Sequence, residues 1–334
     1  MSAGIASRPI LALSRAEIAK TLEMPAVIEA VENAHAALST GRAVQAERST
    51  VEVPGCTTLL VPMTAAIGSL AAGIKLLTDT PANVARDLPV QQSTILLVDP
   101  ETGTCEAILD GPALTLFRTA AASAVATKHL ARGRARTVGF VGAGAQARAH
   151  LEALSCVMTV ERVVVWSRTH QRVEGFAAYA RDRGHEVVVA EGPEAVVRSV
   201  DVLCTLTPSR DPIVKGEWFS PGLHVNAVGA PPRPDHREID SDGIARSKVV
   251  VDSFDVVRRE SGDVLVPLAE GLITAEHFET ELGDVVAGVR AGRRTDDDIT
   301  LFDSVGLGLQ DMAAARLAVD AARRTGLGVE LRLS

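Results

Sequence analysis

The stretch Arg136-Thr-Val-Gly-Phe-Val-Gly-Ala-Gly-Ala-Gln-Ala147 constrains the fold more than any other part of this chain. Val138, Phe140 and Val141 make a short apolar strand, Gly142-Ala-Gly144 a tight turn, and Gln146 to Leu154 a helix with Leu151 and Leu154 on one face. A strand that ends in Gly-x-Gly and opens a helix points backbone N–H groups at an anion lying at the positive end of the helix dipole. The third glycine of such a fingerprint is Ala147 here, still small enough for the helix to sit close on a sheet. Gly-x-Gly alone is common in loops. The preceding strand, the following helix and a further strand at Arg162-Val-Val-Val-Trp166 favour dinucleotide binding over a structural turn.

Beyond that turn the pattern alternates. Strands are expected at Glu186–Ala190, Val202–Leu206, His224–Val228 and Lys248–Asp252, with helices or loops between them, which is the cadence of a doubly wound parallel sheet. The first hundred-odd residues differ. Ser14-Arg-Ala-Glu17 is a capping box, and a helix is expected from Pro25 to a stop at Gly41. Strands follow at Arg48–Val53, Thr57–Val61 and Ala71–Leu77. Thr94–Asp99 and Thr104–Leu109 flank the loop Pro100-Glu-Thr-Gly103 as a hairpin. A helix over about 112–130 leads to the dinucleotide strand, and a last helix is expected over about 303–325. The fold class is therefore α/β: a Rossmann doubly wound parallel sheet over 126–309, with an α+β substrate-binding and dimerisation domain from 1–125 plus 310–334.

The charge balance, 34 Lys and Arg against 42 Asp and Glu for a net −8, provides no basic field for nucleic acid or an anionic membrane. Cys56, Cys105, Cys156 and Cys204 are scattered without Cys-x-x-Cys spacing, which reads as reduced thiols in a cytoplasmic protein rather than a zinc site. No leader peptide is read at the start, and the apolar run Leu59–Leu77 is too interrupted to span a membrane. Asp296-Asp-Asp298 reads as a solvated charge cluster, and no metal is expected.

Several separated stretches then match one pattern: Gly73-Ile-Lys75, Pro89-Val-Gln-Gln-Ser-Thr-Ile95, Asp99-Pro-Glu-Thr-Gly103, Phe117-Arg-Thr-Ala-Ala-Ala-Ser123, Val141-Gly-Ala-Gly-Ala-Gln-Ala147, Asn226-Ala-Val-Gly-Ala230 and Ser304-Val-Gly-Leu-Gly-Leu-Gln-Asp311. In this order and spacing the chain resembles the ornithine cyclodeaminase/mu-crystallin family over nearly its whole length. That family includes cyclodeaminases, ketimine reductases, alanine dehydrogenases and opine-type enzymes, so membership fixes fold and cofactor class better than substrate. The resemblance implies a homodimer.

Arg48, Lys75 and Arg118 are the candidate substrate cations, with Lys75 and Arg118 the candidates for the chemistry. Lys75 lies between Ala71-Ala-Gly-Ile and Leu76-Leu, and Arg118 in Leu116-Phe-Arg-Thr-Ala. Charges in such apolar settings need a partner or a ligand. The residues alone leave two readings open: a carboxylate clamp, or cations that snorkel or pair with a nearby acid such as Asp79 for Lys75. The resemblance places these positions in the family's carboxylate-binding set. Lys75 could also supply the proton that keeps an imine nitrogen cationic.

Cofactor contacts are expected from Thr119, Gly142, Gly144, Ala145, Gln146, Ser167, Arg168, Thr169, Thr207 and Val228. NAD sites place an acid at the end of the second strand to bond the ribose 2′-OH. Here that strand runs into Ser167-Arg-Thr169, so NADP(H) is favoured over NAD(H), the rival being an exposed loop arginine. Family cyclodeaminases carry an Asp shortly after the Asn-Ala-Val-Gly strand. The matching position here is Pro231, and the nearest acid is Asp235. His224 reads as a core histidine, and Ser304-Val-Gly306 as the start of the last helix.

The expected activity is NADPH-dependent reduction of a cyclic ketimine carboxylate to a cyclic amino acid. The alternatives are ornithine cyclodeaminase, an alanine-type amino-acid dehydrogenase, or a non-catalytic NADP(H)-dependent binding protein. The expected partner is a small imino or amino acid.

Overall fold

The computed structural model describes residues 9–332; residues 1–8, part of the start in which no leader is read, lie outside them. The chain divides into two compact units, one from residues 1–118 and 307–334, the other from 119–306.

In the first unit the strands are β1 (Ile10–Leu13), β2 (Ala43–Gln45), β3 (Val51–Glu52), β4 (Leu59–Ile67), β5 (Ala71–Asp79), β6 (Gln91–Val98) and β7 (Cys105–Asp110), joined by the C-terminal β15 (Val329–Leu331). They form one sheet in the order β15-β1-β7-β6-β5-β4-β2, with β3 paired to β4. All pairs are antiparallel except β1 with β7. The helices are α1 (Arg15–Thr21), α2 (Met24–Ser39), the opening turns of α3 (Gly111–Leu130) and α11 (Gly308–Thr325). The capping box forms as expected: Ser14 N–H and Oγ both donate to Glu17 Oε2, at 2.8 and 2.6 Å. In the β6–β7 hairpin, Asp99 Oδ1 accepts from the N–H groups of Glu101 and Thr102, and Gly103 takes φ 70° to close the turn. Strand alternation then sorts the faces. Val61, Met63, Ala65, Ile67, Ala71, Lys75, Ile95 and Leu97 point to the buried side, where α11 packs on β4, β5 and β6. The opposite face carries Leu60, Pro62, Ile74, Leu76, Leu96, Val98 and Ile108, all at least partly exposed.

In the second unit β8 (Thr137–Val141), β9 (Arg162–Trp166), β10 (Glu186–Val189), β11 (Val202–Thr205), β12 (His224–Ala227), β13 (Lys248–Val251) and β14 (Thr300–Asp303) line up as β10-β9-β8-β11-β12-β14-β13, every pair parallel. The crossovers carry α4 (Ala145–Val157), α5 (His170–Arg181), α6 (Pro193–Val197), α7 (Ser241–Arg246), α8 (Phe254–Glu260), α9 (Gly262–Ala269) and α10 (Leu282–Val286). Two apolar layers sandwich the sheet, one containing Val138, Phe140, Val163, Val165, Leu151 and Phe176, the other Val141, Val164, Leu203, Val225 and Leu301. Burial on both faces explains why these strands read as continuous apolar runs.

Two expectations are corrected. The last helix begins at Gly308, not Asp303, because Thr300–Asp303 inserts as a strand between β12 and β13. Arg48 sits in a loop ahead of the two-residue strand β3 rather than within a strand. Asp298 of the acidic triplet is a local staple: it accepts from Lys248, from the N–H groups of Arg294 and Thr295, and from Thr295 Oγ1.

Candidate functional site

The buried face of the first unit gathers charge around one strand. Lys75, on β5, lies opposite Met63 of β4 and Ile95 of β6, both fully covered. Two glycines let a helix press onto this spot. A Cβ on Gly73 would stand 2.2 Å from the Leu96 carbonyl oxygen, and one on Gly308 2.8 Å from that of Met63. The first turn of α11 therefore sits directly over β4 and β5, bringing Gln310 and Asp311 to Lys75.

Asp311 is fully buried. Lys75 Nζ donates to both its carboxylate oxygens, at 3.1 and 3.3 Å, and to Thr115 Oγ1 at 2.5 Å. Arg118 Nε donates to Asp311 Oδ1 at 3.2 Å, and its Nη1 to Gln310 Oε1 at 3.0 Å. Thr115 and Arg118 are three residues apart on α3, hence on one face. Asp311 belongs to the first helical turn, where the dipole favours an anion. Gln310 Oε1 faces two donors, Arg118 Nη1 and the Leu307 N–H, so its amide nitrogen is the end that faces His35 Nε2 at 3.1 Å. That assigns the His35 proton to Nδ1. Burial pushes this histidine down to about 4, and the ring is neutral.

Burial also pulls the Lys75 ammonium down to about 8. Asp311 opposes that effect, while Arg118 and Arg48 add to it. Three cations thus surround one carboxylate, leaving positive charge that an incoming acid can neutralise. The three candidate cations do converge electrostatically: Lys75 and Arg118 are buried, and Arg48 is partly exposed in its loop. The acid that meets Lys75 is Asp311, 236 positions away, rather than the neighbouring Asp79. Sequence reading missed it as a site residue. The signal was present in the Gln-Asp pair that closes the Ser304–Asp311 motif, an acid in an otherwise apolar first helical turn.

In the second unit the glycine turn lies at the C-terminal end of β8, beside β11, where the strand order reverses direction. This is the switch point at which open α/β sheets bind ligands. Gly142 takes φ 112°, and a Cβ there would lie 2.7 Å from the Leu206 carbonyl oxygen. Gly144 is the N-cap of α4, and a Cβ on it would meet nothing within 4 Å. Ala145 begins the helix, and Gln146 Oε1 is buried without a hydrogen-bond partner. Open space over the helix start and an orphaned acceptor beside it fit a pyrophosphate-bearing dinucleotide. Helix α4 is locked from below: His150 Nε2 meets Ser123 Oγ at 2.9 Å, and its Nδ1 the Gln146 carbonyl at 2.8 Å. Ser167, Arg168 and Thr169 follow β9 directly, with Arg168 and Thr169 exposed. Thr119 is buried in α3. Thr207 and Val228 follow β11 and β12, and the Val228 N–H donates to the Thr205 carbonyl at 3.3 Å. His224 is a core residue: its Nδ1 meets Thr300 Oγ1 at 3.0 Å, and burial holds the ring neutral. Asp235 is exposed and engaged by Arg210 and His236, both at 2.9 Å.

The ornithine cyclodeaminase/mu-crystallin family model matches residues 10–326. This chain belongs to that family. A Δ1-pyrroline-2-carboxylate reductase of Bacillus cereus is 37% identical over 273 residues, 81% of this chain and 83% of the relative. The solved Δ1-pyrroline-2-carboxylate reductase of Thermococcus litoralis, in complex with NADH and L-proline, is 38% identical with a TM-score of 0.91, covering 96% of this chain and 99% of that one. An archaeal alanine dehydrogenase dimer with bound NAD is 33% identical with a TM-score of 0.92, covering 98% and 100%. As a member of the ornithine cyclodeaminase/mu-crystallin family the chain has the fold read from its sequence, a Rossmann sheet with a mixed α/β companion. No helix among the described residues is long and apolar enough to cross a membrane.

Proposed function

We propose that this chain reduces a cyclic ketimine, an imine-2-carboxylate, to the cyclic amino acid, with a reduced nicotinamide as electron donor. One observation supports the reading most: Lys75 and Arg118 are buried around Asp311 with Arg48 beside them, a positively charged pocket suited to a small carboxylate. The named relatives act on ligands of that kind.

The bound nicotinamide supplies the hydride. Arg118 and Arg48 hold the substrate carboxylate, and Asp311 keeps Arg118 and Lys75 in place. Lys75, protonated at neutral pH, stands ready to give the imine nitrogen its proton, so that hydride at carbon and proton at nitrogen complete the C–N bond. Cyclodeaminase chemistry is disfavoured, because Pro231 stands where those enzymes carry an Asp, and Asp235 is exposed and already paired. In this reading residues 1–125 and 310–334 bind substrate and residues 126–309 bind the dinucleotide.

NADPH is the proposed donor, since Ser167-Arg-Thr169 follows β9 with no acid and Arg168 is free to meet a 2′-phosphate. Purified protein offered five- and six-membered cyclic imino acids should oxidise NADPH. Arg168→Ala should weaken NADPH at least about tenfold more than NADH, the worth of a charge-assisted hydrogen bond. Ammonia release from ornithine without net cofactor change, oxidation of L-alanine in preference to any imine reduction, or tight NADPH binding with no turnover would each replace this reading. Equal losses of NADPH and NADH affinity would end the NADP assignment.

The chain is proposed to work as a cytoplasmic homodimer. Its four free thiols fit a reducing compartment. The partly exposed apolar face of Leu60, Pro62, Ile74, Leu76, Leu96, Val98 and Ile108 suits a second copy, as does the dimeric state of the archaeal relative. Sedimentation should give twice the chain mass, and Leu76→Lys should shift it towards one. A wild-type monomer at micromolar concentration contradicts the assignment.

A further inference from the structure

Glu238 is a buried carboxylate tied to loop backbone. It is completely covered. Its Oε2 accepts from Thr205 Oγ1 at 2.7 Å and the Gly229 N–H at 2.8 Å; its Oε1 accepts from the Thr207 N–H and Thr207 Oγ1, both at 2.6 Å. Thr205 ends β11, Thr207 follows it, and Gly229 lies just past β12. The two segments are pressed together: a Cβ on Gly229 would stand 2.1 Å from the Thr207 nitrogen. Glu238 is itself held by its own N–H donating to Asp263 Oδ1 at 3.0 Å, with the Ile239 N–H donating to the same atom at 2.8 Å.

Burying a carboxylate is expensive, and here the compensation comes from four neutral donors. Burial pushes the carboxyl up while those four donors pull it down. A side chain kept at such cost must fix something that a neutral residue would leave loose. An amide could not replace it, because its NH2 would confront two of the donors. What Glu238 fixes is the relative position of the loops after β11 and β12. In a doubly wound sheet whose pyrophosphate lies at the first turn, the C-terminal ends of the next strands carry the second half of the dinucleotide.

We propose that Glu238 is a positioning residue for the nicotinamide half of the cofactor, welding the Thr207 and Gly229 loops into one preformed surface. The inference rests on the dinucleotide reading. Titration of wild type and Glu238→Gln by calorimetry with NADPH, NADH, ADP and 2′,5′-ADP separates the two halves of the ligand. In Glu238→Gln the dinucleotides should bind about 10- to 100-fold more weakly, as expected when buried donors lose their acceptor, while the adenosine-half ligands stay within about twofold. Thr205→Val, which removes one donor, should show the same half-selective loss at about 2- to 5-fold, and serves if the first variant does not fold. Equal weakening of all four ligands would make Glu238 merely structural, and unchanged dinucleotide affinity would make it dispensable; either overturns the proposal. Wild-type protein that binds neither dinucleotide removes the cofactor reading, and this inference with it.

Discussion

Lys75→Met should lower kcat/KM for imine reduction by about 10²- to 10⁴-fold, the usual worth of a positioned proton donor, while dinucleotide binding measured by calorimetry stays near wild type. The same residue sets a pH profile. Burial brings its ammonium down to about 8, so the free protein loses that proton as pH rises through about 8. Because kcat/KM reports the free enzyme, it should fall about tenfold per pH unit above that point. Substrate ionisation contributes to the profile as well, but equally in Lys75→Arg, whose guanidinium stays charged and should move the break upward. Stability moves the other way. A lysine with a folded value of about 8 against the ordinary 10.5 leaves the unfolded chain holding more protons between those limits, so its contribution to stability rises with pH across that window. Activity lost there is therefore not unfolding driven by Lys75. A profile for Lys75→Arg identical to wild type, or a Lys75→Met variant within tenfold of wild type, would remove Lys75 from the chemistry.

Asp311→Ala should be the most destabilising single change in the first unit, at about 3–5 kcal/mol, because it strands two buried cations rather than one. Asp311→Asn, which keeps shape and one acceptor, should cost less. The double variant Lys75→Met/Asp311→Ala should be more stable than the sum of its single losses, since the methionine removes a charge the aspartate no longer answers. Urea unfolding of the four proteins measures this directly. Losses that add within about 0.5 kcal/mol would mean that the pair does not act as a unit.

Local signals in the chain located most of the scaffold. The glycine turn, the capping box at Ser14 and the Asp99–Gly103 hairpin each depend on a few adjacent residues, and each appears where expected. Thr300–Asp303 was missed because four residues of β-branched, apolar and acidic type beside a long helix carry no period of their own. Only its two strand neighbours make it a strand. The same limit hid Asp311. That Lys75 and Arg118 needed a counter-charge was legible from their apolar surroundings, whereas its source, 236 and 193 positions away, depends on how Gly73 and Gly308 let a helix settle on the sheet. The burial of Glu238 was hidden for a similar reason: Pro-Asp-His-Arg-Glu reads as a surface loop, and the donors it serves belong to other strands.

The first unit closes with the last segment of the chain to leave the ribosome, residues 307–334. Lys75 and Arg118 are translated long before Asp311 exists, so nascent residues 1–118 carry an unanswered double positive charge on the face that must become their core. The second unit, an uninterrupted run from 119 to 306, has every strand of its sheet before that point. Termination of synthesis, not hydrophobic collapse alone, therefore sets the moment at which the substrate half of this molecule can mature, and a premature stop ahead of Gly308 would leave a finished Rossmann sheet attached to an unfinished partner.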